Sequence, residues 1–96
     1  MSYQSQIKTQ AGKTNPGVLI FALSTCVWCR KTKALLGELG LEYRYLDVDL
    51  LEGSDQEEAV RELERLNPSG SFPTLVLKDR VIVGFQEAEI RKLAGE

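Results

Sequence analysis

The chain has no histidine, and its 96 residues include only two cysteines, one tryptophan, one methionine and three prolines. Without histidine or a second cysteine pair, one chain cannot assemble the common four-ligand structural zinc sites. No run approaches the roughly 18–20 apolar residues that span a bilayer. The opening stretch MSYQSQIKTQAGKTNPG is polar and lacks the apolar core of a signal peptide. A cytoplasmic protein with no membrane partner is therefore expected. In that compartment cysteines are expected to be reactive or metal-binding rather than paired in a structural disulfide. The net charge of -2 is too small to imply a partner. The basic residues form no large cluster with interleaved aromatics, so a nucleic-acid surface is not expected. There is no internal repeat and no low-complexity tract.

What is present suits one small domain. Hydrophobic residues make up 43% of the chain, an ordinary share for a folded protein. Charge is unevenly spread: residues 1–46 carry six Lys/Arg and two acids, residues 47–96 six and twelve. Residues 1–17 read as an N-terminal extension in which YQSQIKT forms a short edge strand, followed by an Asn15-Pro16-Gly17 turn. Residues 18–96 read as the domain itself.

VLIFAL (18–23) is a continuous apolar run suited to a buried central strand. Thr25 is placed to cap a helix that starts near Cys26, buries Ala34, Leu35, Leu36 and Leu39, and ends at Gly40. EYRYLDVD (42–49) reads as a second strand. Ser54 with Glu57 fits a capping box for a helix carrying Ala59, Val60, Leu63 and Leu66. PTLVL (73–77) and VIVG (81–84) flank a Lys78-Asp79-Arg80 hairpin turn, and a last helix covers Gln86 to Ala94. The order β-α-β-α-β-β-α predicts an α/β fold: a four-stranded mixed sheet, begun by a right-handed parallel βαβ unit and flanked by three helices.

The two cysteines stand in Thr25-Cys26-Val27-Trp28-Cys29-Arg30, at the end of the buried strand and the start of the first helix. Backbone N–H groups and the helix dipole there favour a negative charge, and Arg30 and Lys31 add to it. Such surroundings stabilise a thiolate, the form that attacks a disulfide. Cys29 lies almost one turn on, on the same helix face. A structural disulfide across so short a loop gains only about 2 kcal/mol of chain entropy. Metal or cluster binding would need two chains, or Cys26 with an outside thiol, and two inert core thiols are a further alternative. Redox chemistry is the leading reading, because CxxC within a βαβ unit is a signature of it. The metal or iron–sulfur carrier, a dimer using Cys26, stays as the alternative from another class.

A strand, CxxC at a helix start, the Pro73-Thr74 strand entry and a hairpin ending in Gly84 together resemble glutaredoxin and its relatives in the thioredoxin superfamily. The resemblance covers about residues 18–95. It implies a thiol–disulfide oxidoreductase in which Cys26 is the nucleophile and Cys29 resolves the mixed disulfide. It also implies that Pro73 is a cis-proline facing the active-site sulfur and that the Phe72 backbone pairs with a bound peptide-like thiol. Trp28 matches an aromatic position beside the active site, and is otherwise a partly exposed packing residue. Gly84 matches a glycine that lets the substrate backbone approach, or serves the turn alone. Thr25, Val27, Arg30 and Phe85 complete the expected substrate-binding set; for Arg30 and Lys31 a solvated helix face is the competing reading.

The chain departs from glutathione-using members in carrying Leu23 where they often have Lys, and Val27 where Pro is common. It also has Val83-Gly84-Phe85 where they often have Gly-Gly. Gly84-Phe85 looks more like the NrdH-type redoxins, which draw electrons from a thioredoxin reductase. The resemblance thus implies no bound cofactor, glutathione or a thioredoxin reductase as electron donor, a disulfide-containing protein or small molecule as substrate, and a monomer.

Overall fold

The computed structural model describes residues 3–96. In chain order the elements are β1 (Lys8–Gln10), β2 (Leu19–Ala22), α1 (Val27–Glu38), β3 (Tyr43–Asp47), α2 (Gly53–Leu66), β4 (Thr74–Val76), β5 (Val81–Val83) and α3 (Glu87–Lys92), with 3-10 turns at Tyr3–Gln6 and Val48–Leu50. The expected architecture is present, but the sheet has five strands rather than four, in the order β1-β3-β2-β4-β5. The strand within the N-terminal segment is Lys8–Gln10, which pairs antiparallel with β3 at the sheet edge. β2 runs parallel to β3 and antiparallel to β4, and β4 and β5 form the hairpin.

Alternation along the strands builds two apolar layers. Ile20, Ala22, Tyr43, Leu75 and Ile82 point to one face and pack with Leu35 and Leu36 of α1 and Ile90 of α3. Phe21 and Leu46 point to the other face, where Ala59 and Leu63 of α2 and Tyr3 cover them. Ile20, Phe21 and Ala22 are all essentially inaccessible, which is why the central strand reads as an unbroken apolar run. Among the described residues no helix is long and apolar enough to cross a membrane.

Several boundaries differ from the sequence reading for local reasons. Cys26, not Thr25, caps α1. Thr25 lies in a turn closed by the Cys26 N–H donating to the Leu23 carbonyl at 3.2 Å. β3 stops at Asp47 because Val48 turns inward, 3% exposed, and leads into a 3-10 turn. The Ser54–Glu57 capping box does not form: Glu52 occupies the cap position without a side-chain bond. The turn before α2 is fastened instead by Gln56 Nε2, which donates to the Val48 and Leu51 carbonyls. Gly40 does end α1 in the left-handed region, at φ 73°.

The segment before β2 is stitched to the loop between α1 and β3. The Lys13 and Thr14 N–H groups donate to the Gly40 carbonyl, and the Glu42 N–H donates to the Thr14 carbonyl. Gly12 lies against the backbone of that loop. A Cβ built there would lie 2.4 Å from Glu42 N and 2.5 Å from the Leu41 carbonyl carbon.

Candidate active site

The strand-to-helix turn presents Cys26 as the N-cap of α1, with φ -84° and ψ 120°. A capping side chain accepts from the N–H groups that the first helical turn leaves unpaired. Here that acceptor is sulfur: the Cys29 N–H donates to Cys26 Sγ at 3.2 Å. Cys26 is partly accessible, Cys29 is fully buried, and both are free thiols. The two sulfurs thus share one helix end but differ in access to solvent.

Burial pushes the Cys29 thiol up to about 12, and its interaction with Cys26 adds to the shift, while a backbone hydrogen bond with Leu23 and the Lys33 ammonium oppose it. The native state therefore holds the Cys29 proton where an unfolded chain has released it, so stability falls as pH rises above the thiol's ordinary value of 9.0. A single such group costs up to about 1.4 kcal/mol per pH unit. The buried hydroxyls of Tyr3 and Tyr43 are raised too, and act in the same direction. Urea unfolding of the reduced protein and of Cys29→Ala between about pH 8 and pH 10.5 isolates the cysteine: the wild-type chain is expected to lose about 2 kcal/mol more than the variant. Equal losses would show that Cys29 is not protected.

An open groove of about 230 Å³, lined by Trp28, Phe72, Pro73, Gly84 and Phe85, begins two residues beyond Cys26. The Phe72–Pro73 peptide bond is cis, as the resemblance implies. The Gly84 N–H donates to the Pro73 carbonyl at 2.8 Å, joining the strand entry to the hairpin end. Gly84 has φ 79°, a conformation that side-chain-bearing residues rarely adopt. Trp28 and Phe85 stack with ring centroids 5.7 Å apart, and the Lys31 ammonium sits 4.7 Å from the Trp28 ring. Cys26, Phe72 and Phe85 pack against the same apolar layer. Thr25, Val27 and Arg30 are exposed around the turn. A second recess of similar size, about 240 Å³ between Lys8, Tyr45 and Leu50, carries no cysteine.

Other side chains around the site are not legible in the sequence. Asp47 pairs with Lys33 at 3.2 Å, and the Lys33 ammonium lies 4.2 Å from the Tyr45 ring. The Asp49 carboxylate receives the Ser24 N–H at 2.8 Å and the Ser24 hydroxyl on its other oxygen. Buried Asn67 donates to the Ser71 and Thr74 hydroxyls and accepts from Ser69, shaping the loop into Phe72–Pro73. The one available signal is the acidic pair at the end of a strand predicted to adjoin the cysteine strand. Among the described residues no group of three or more Cys, Asp or Glu side chains converges as a metal site.

The sequence model of the Glutaredoxin family matches residues 18–82. A glutaredoxin-like 8.6 kDa protein of the Clostridium pasteurianum rubredoxin operon is 32% identical over 76 residues, spanning 79% of this chain and 95% of that protein. Methanoredoxin of Methanosarcina acetivorans superposes with a TM-score of 0.85 at 43% identity, covering 93% of this chain and 96% of its own. The glutaredoxin of Methanosarcina mazei Go1 gives 0.82 at 49% identity, over 94% and 88%. The family match spans both cysteines, the cis-proline and β2 to β4, ending within β5, so the chain belongs to the glutaredoxin family of thiol–disulfide oxidoreductases.

Proposed function

We propose that the chain reduces disulfides by a dithiol route in which Cys26 attacks and Cys29 resolves. The observation that carries this reading is the asymmetry of the pair: an accessible sulfur at a helix cap and a buried one a turn behind it. Cys26, as thiolate, attacks one sulfur of a substrate disulfide. The Cys26–substrate bond forms, the substrate S–S bond breaks, and the departing sulfur leaves as thiolate and takes up a proton. Cys29 then loses its proton and attacks Cys26 Sγ, forming the Cys26–Cys29 disulfide and releasing the second substrate thiol. Two electrons have passed from protein to substrate.

Burial is the main barrier to the Cys29 anion, and the free Cys26 thiol adds to it, while Lys33 and the Leu23 backbone favour the anion. Bonding of Cys26 to substrate removes the free thiol's contribution and leaves burial as the barrier to the second step.

The groove between Trp28, Phe72, Pro73, Gly84 and Phe85 receives the chain that carries the disulfide. Thr25, Val27 and Arg30 flank it. The substrate is a protein or small-molecule disulfide, and the protein acts in the cytoplasm as a monomer without a bound cofactor. The oxidised pair is reduced either by two glutathione molecules, which leave as glutathione disulfide, or by the dithiol of a thioredoxin reductase. Leu23 and the Gly84-Phe85 step support the reductase.

The deciding experiment offers the oxidised protein either glutathione or a thioredoxin reductase with its electron source, and follows the return of two thiols by mass after alkylation. Recovery with one donor assigns the route. Recovery with neither sinks both routes.

A further inference from the structure

We propose that Asp49 is a positioning residue for the thiol chemistry: its carboxylate grips Ser24 and so fixes the turn that delivers Cys26 to the start of α1. This rests on Cys26 being the nucleophile. The turn spans Leu23 to Cys26 and is closed by one backbone bond, Cys26 N–H to the Leu23 carbonyl at 3.2 Å. Ser24 is its first corner. Both donors of Ser24 are taken by Asp49: the N–H by Oδ1 at 2.8 Å, the hydroxyl by Oδ2. Two donors on two oxygens of one carboxylate fix orientation as well as distance.

The grip comes from a distant part of the chain. Asp49 sits in the 3-10 turn after β3, and β3 lies parallel beside the strand that leads into the cysteines. Two residues earlier Asp47 holds Lys33 of α1 at 3.2 Å. The end of β3 therefore grasps the active-site segment on both sides, ahead of Cys26 through Ser24 and behind Cys29 through Lys33. Neither Ser24 nor Asp49 lines the groove, so the role is exerted through the placement of Cys26 Sγ against the Cys29 N–H.

The sign of the effect separates positioning from plain electrostatics. A carboxylate near a thiolate disfavours the anion, so simple removal of that charge speeds Cys26. Loss of a clamp slows it, because Cys26 Sγ then leaves the Cys29 N–H that supports the attacking anion. The reduced full-length protein is treated with iodoacetamide at neutral pH, and alkylation at Cys26 is timed by mass. Asp49→Ala is expected to react about tenfold more slowly than wild type, the loss of one charge-assisted hydrogen bond. Asp49→Asn, which keeps an acceptor oxygen for the Ser24 N–H but no charge, is expected to recover at least most of the rate. Ser24→Ala, which loses only the hydroxyl bond, is expected to slow about threefold, and Asp49→Ala with Ser24→Ala to be no slower than Asp49→Ala alone.

An Asp49→Ala rate equal to or above wild type overturns the proposal, as do losses that multiply in the double variant. Alkylation at both cysteines in Asp49→Ala marks loss of the fold, and the Ser24→Ala rate then decides. A wild-type Cys26 no more reactive than a free thiol overturns the nucleophile itself, an outcome distinct from a reactive wild type with indifferent variants.

Discussion

Replacing Cys26 by serine is expected to abolish disulfide reduction, cutting the rate by more than about a thousandfold, because removing a nucleophile leaves only what binding contributes. Serine preserves shape and still accepts the Cys29 N–H, but it offers no anion at neutral pH. Cys29→Ser should behave differently. The accessible sulfur still attacks, no buried thiol follows, and the protein accumulates as a mixed disulfide. Intact mass after incubation with bis(2-hydroxyethyl) disulfide reads both outcomes: Cys29→Ser gains one substrate half and Cys26→Ser gains none. Burial is the reason for the second expectation, since Cys29 has no accessible surface from which to meet a disulfide in solution. An adduct on folded Cys26→Ser would reverse the two roles.

The second large effect lies far from the sulfurs. Gly12→Ala would push a Cβ to within 2.9 Å of three backbone atoms, Glu42 N, Leu41 C and Glu42 Cα. A flexible side chain can yield to such a contact; backbone in a paired segment does not. To make room, residues 12–14 must lift from the loop before β3, breaking the bonds to Gly40 and the bridge between Thr14 and Leu41. Overpacking of this kind typically costs about 1–3 kcal/mol, and the lost backbone bonds place this site at the upper end. For a domain of this size about 3 kcal/mol lowers the melting temperature by about 12–24 °C. Thermal unfolding by circular dichroism measures it. A shift under about 4 °C would show that the segment moves freely. Because β1 is continuous with this segment, the same variant should expose the amides of Tyr43 and Tyr45 to hydrogen exchange first, while Arg44, whose N–H donates to the Val18 carbonyl, stays protected.

What could be read in the sequence divides along physical lines. The central strand was legible because Ile20, Phe21 and Ala22 are buried on both faces, and α1 and α2 because Leu35, Leu36, Ala59 and Leu63 recur at helical spacing. The cysteine pair and Pro73 were legible as a motif. The edge strand is legible but its bounds are not: YQSQIKT points to residues 3–9, whereas Tyr3–Gln6 is a 3-10 turn and the exposed Lys8, Thr9 and Gln10 are a strand through backbone bonds to β3 alone. Sulfur is not among the usual capping atoms, so the sequence points to Thr25 as the cap of α1 where the fold uses Cys26. The Ser24–Asp49 and Asn67–Thr74 contacts were out of reach for a different reason. They pair polar groups brought together by the closed fold, and no local periodicity announces them.

Trp28 is the only indole in the chain, about half exposed, and it lies between the two cysteines. Any light emitted by tryptophan therefore originates within the redox motif and nowhere else. Disulfides quench indole emission on contact, so the emission of the unlabelled protein is expected to fall when Cys26 and Cys29 join. Equilibrating the protein against a thiol buffer in a fluorimeter would then read its reduction potential.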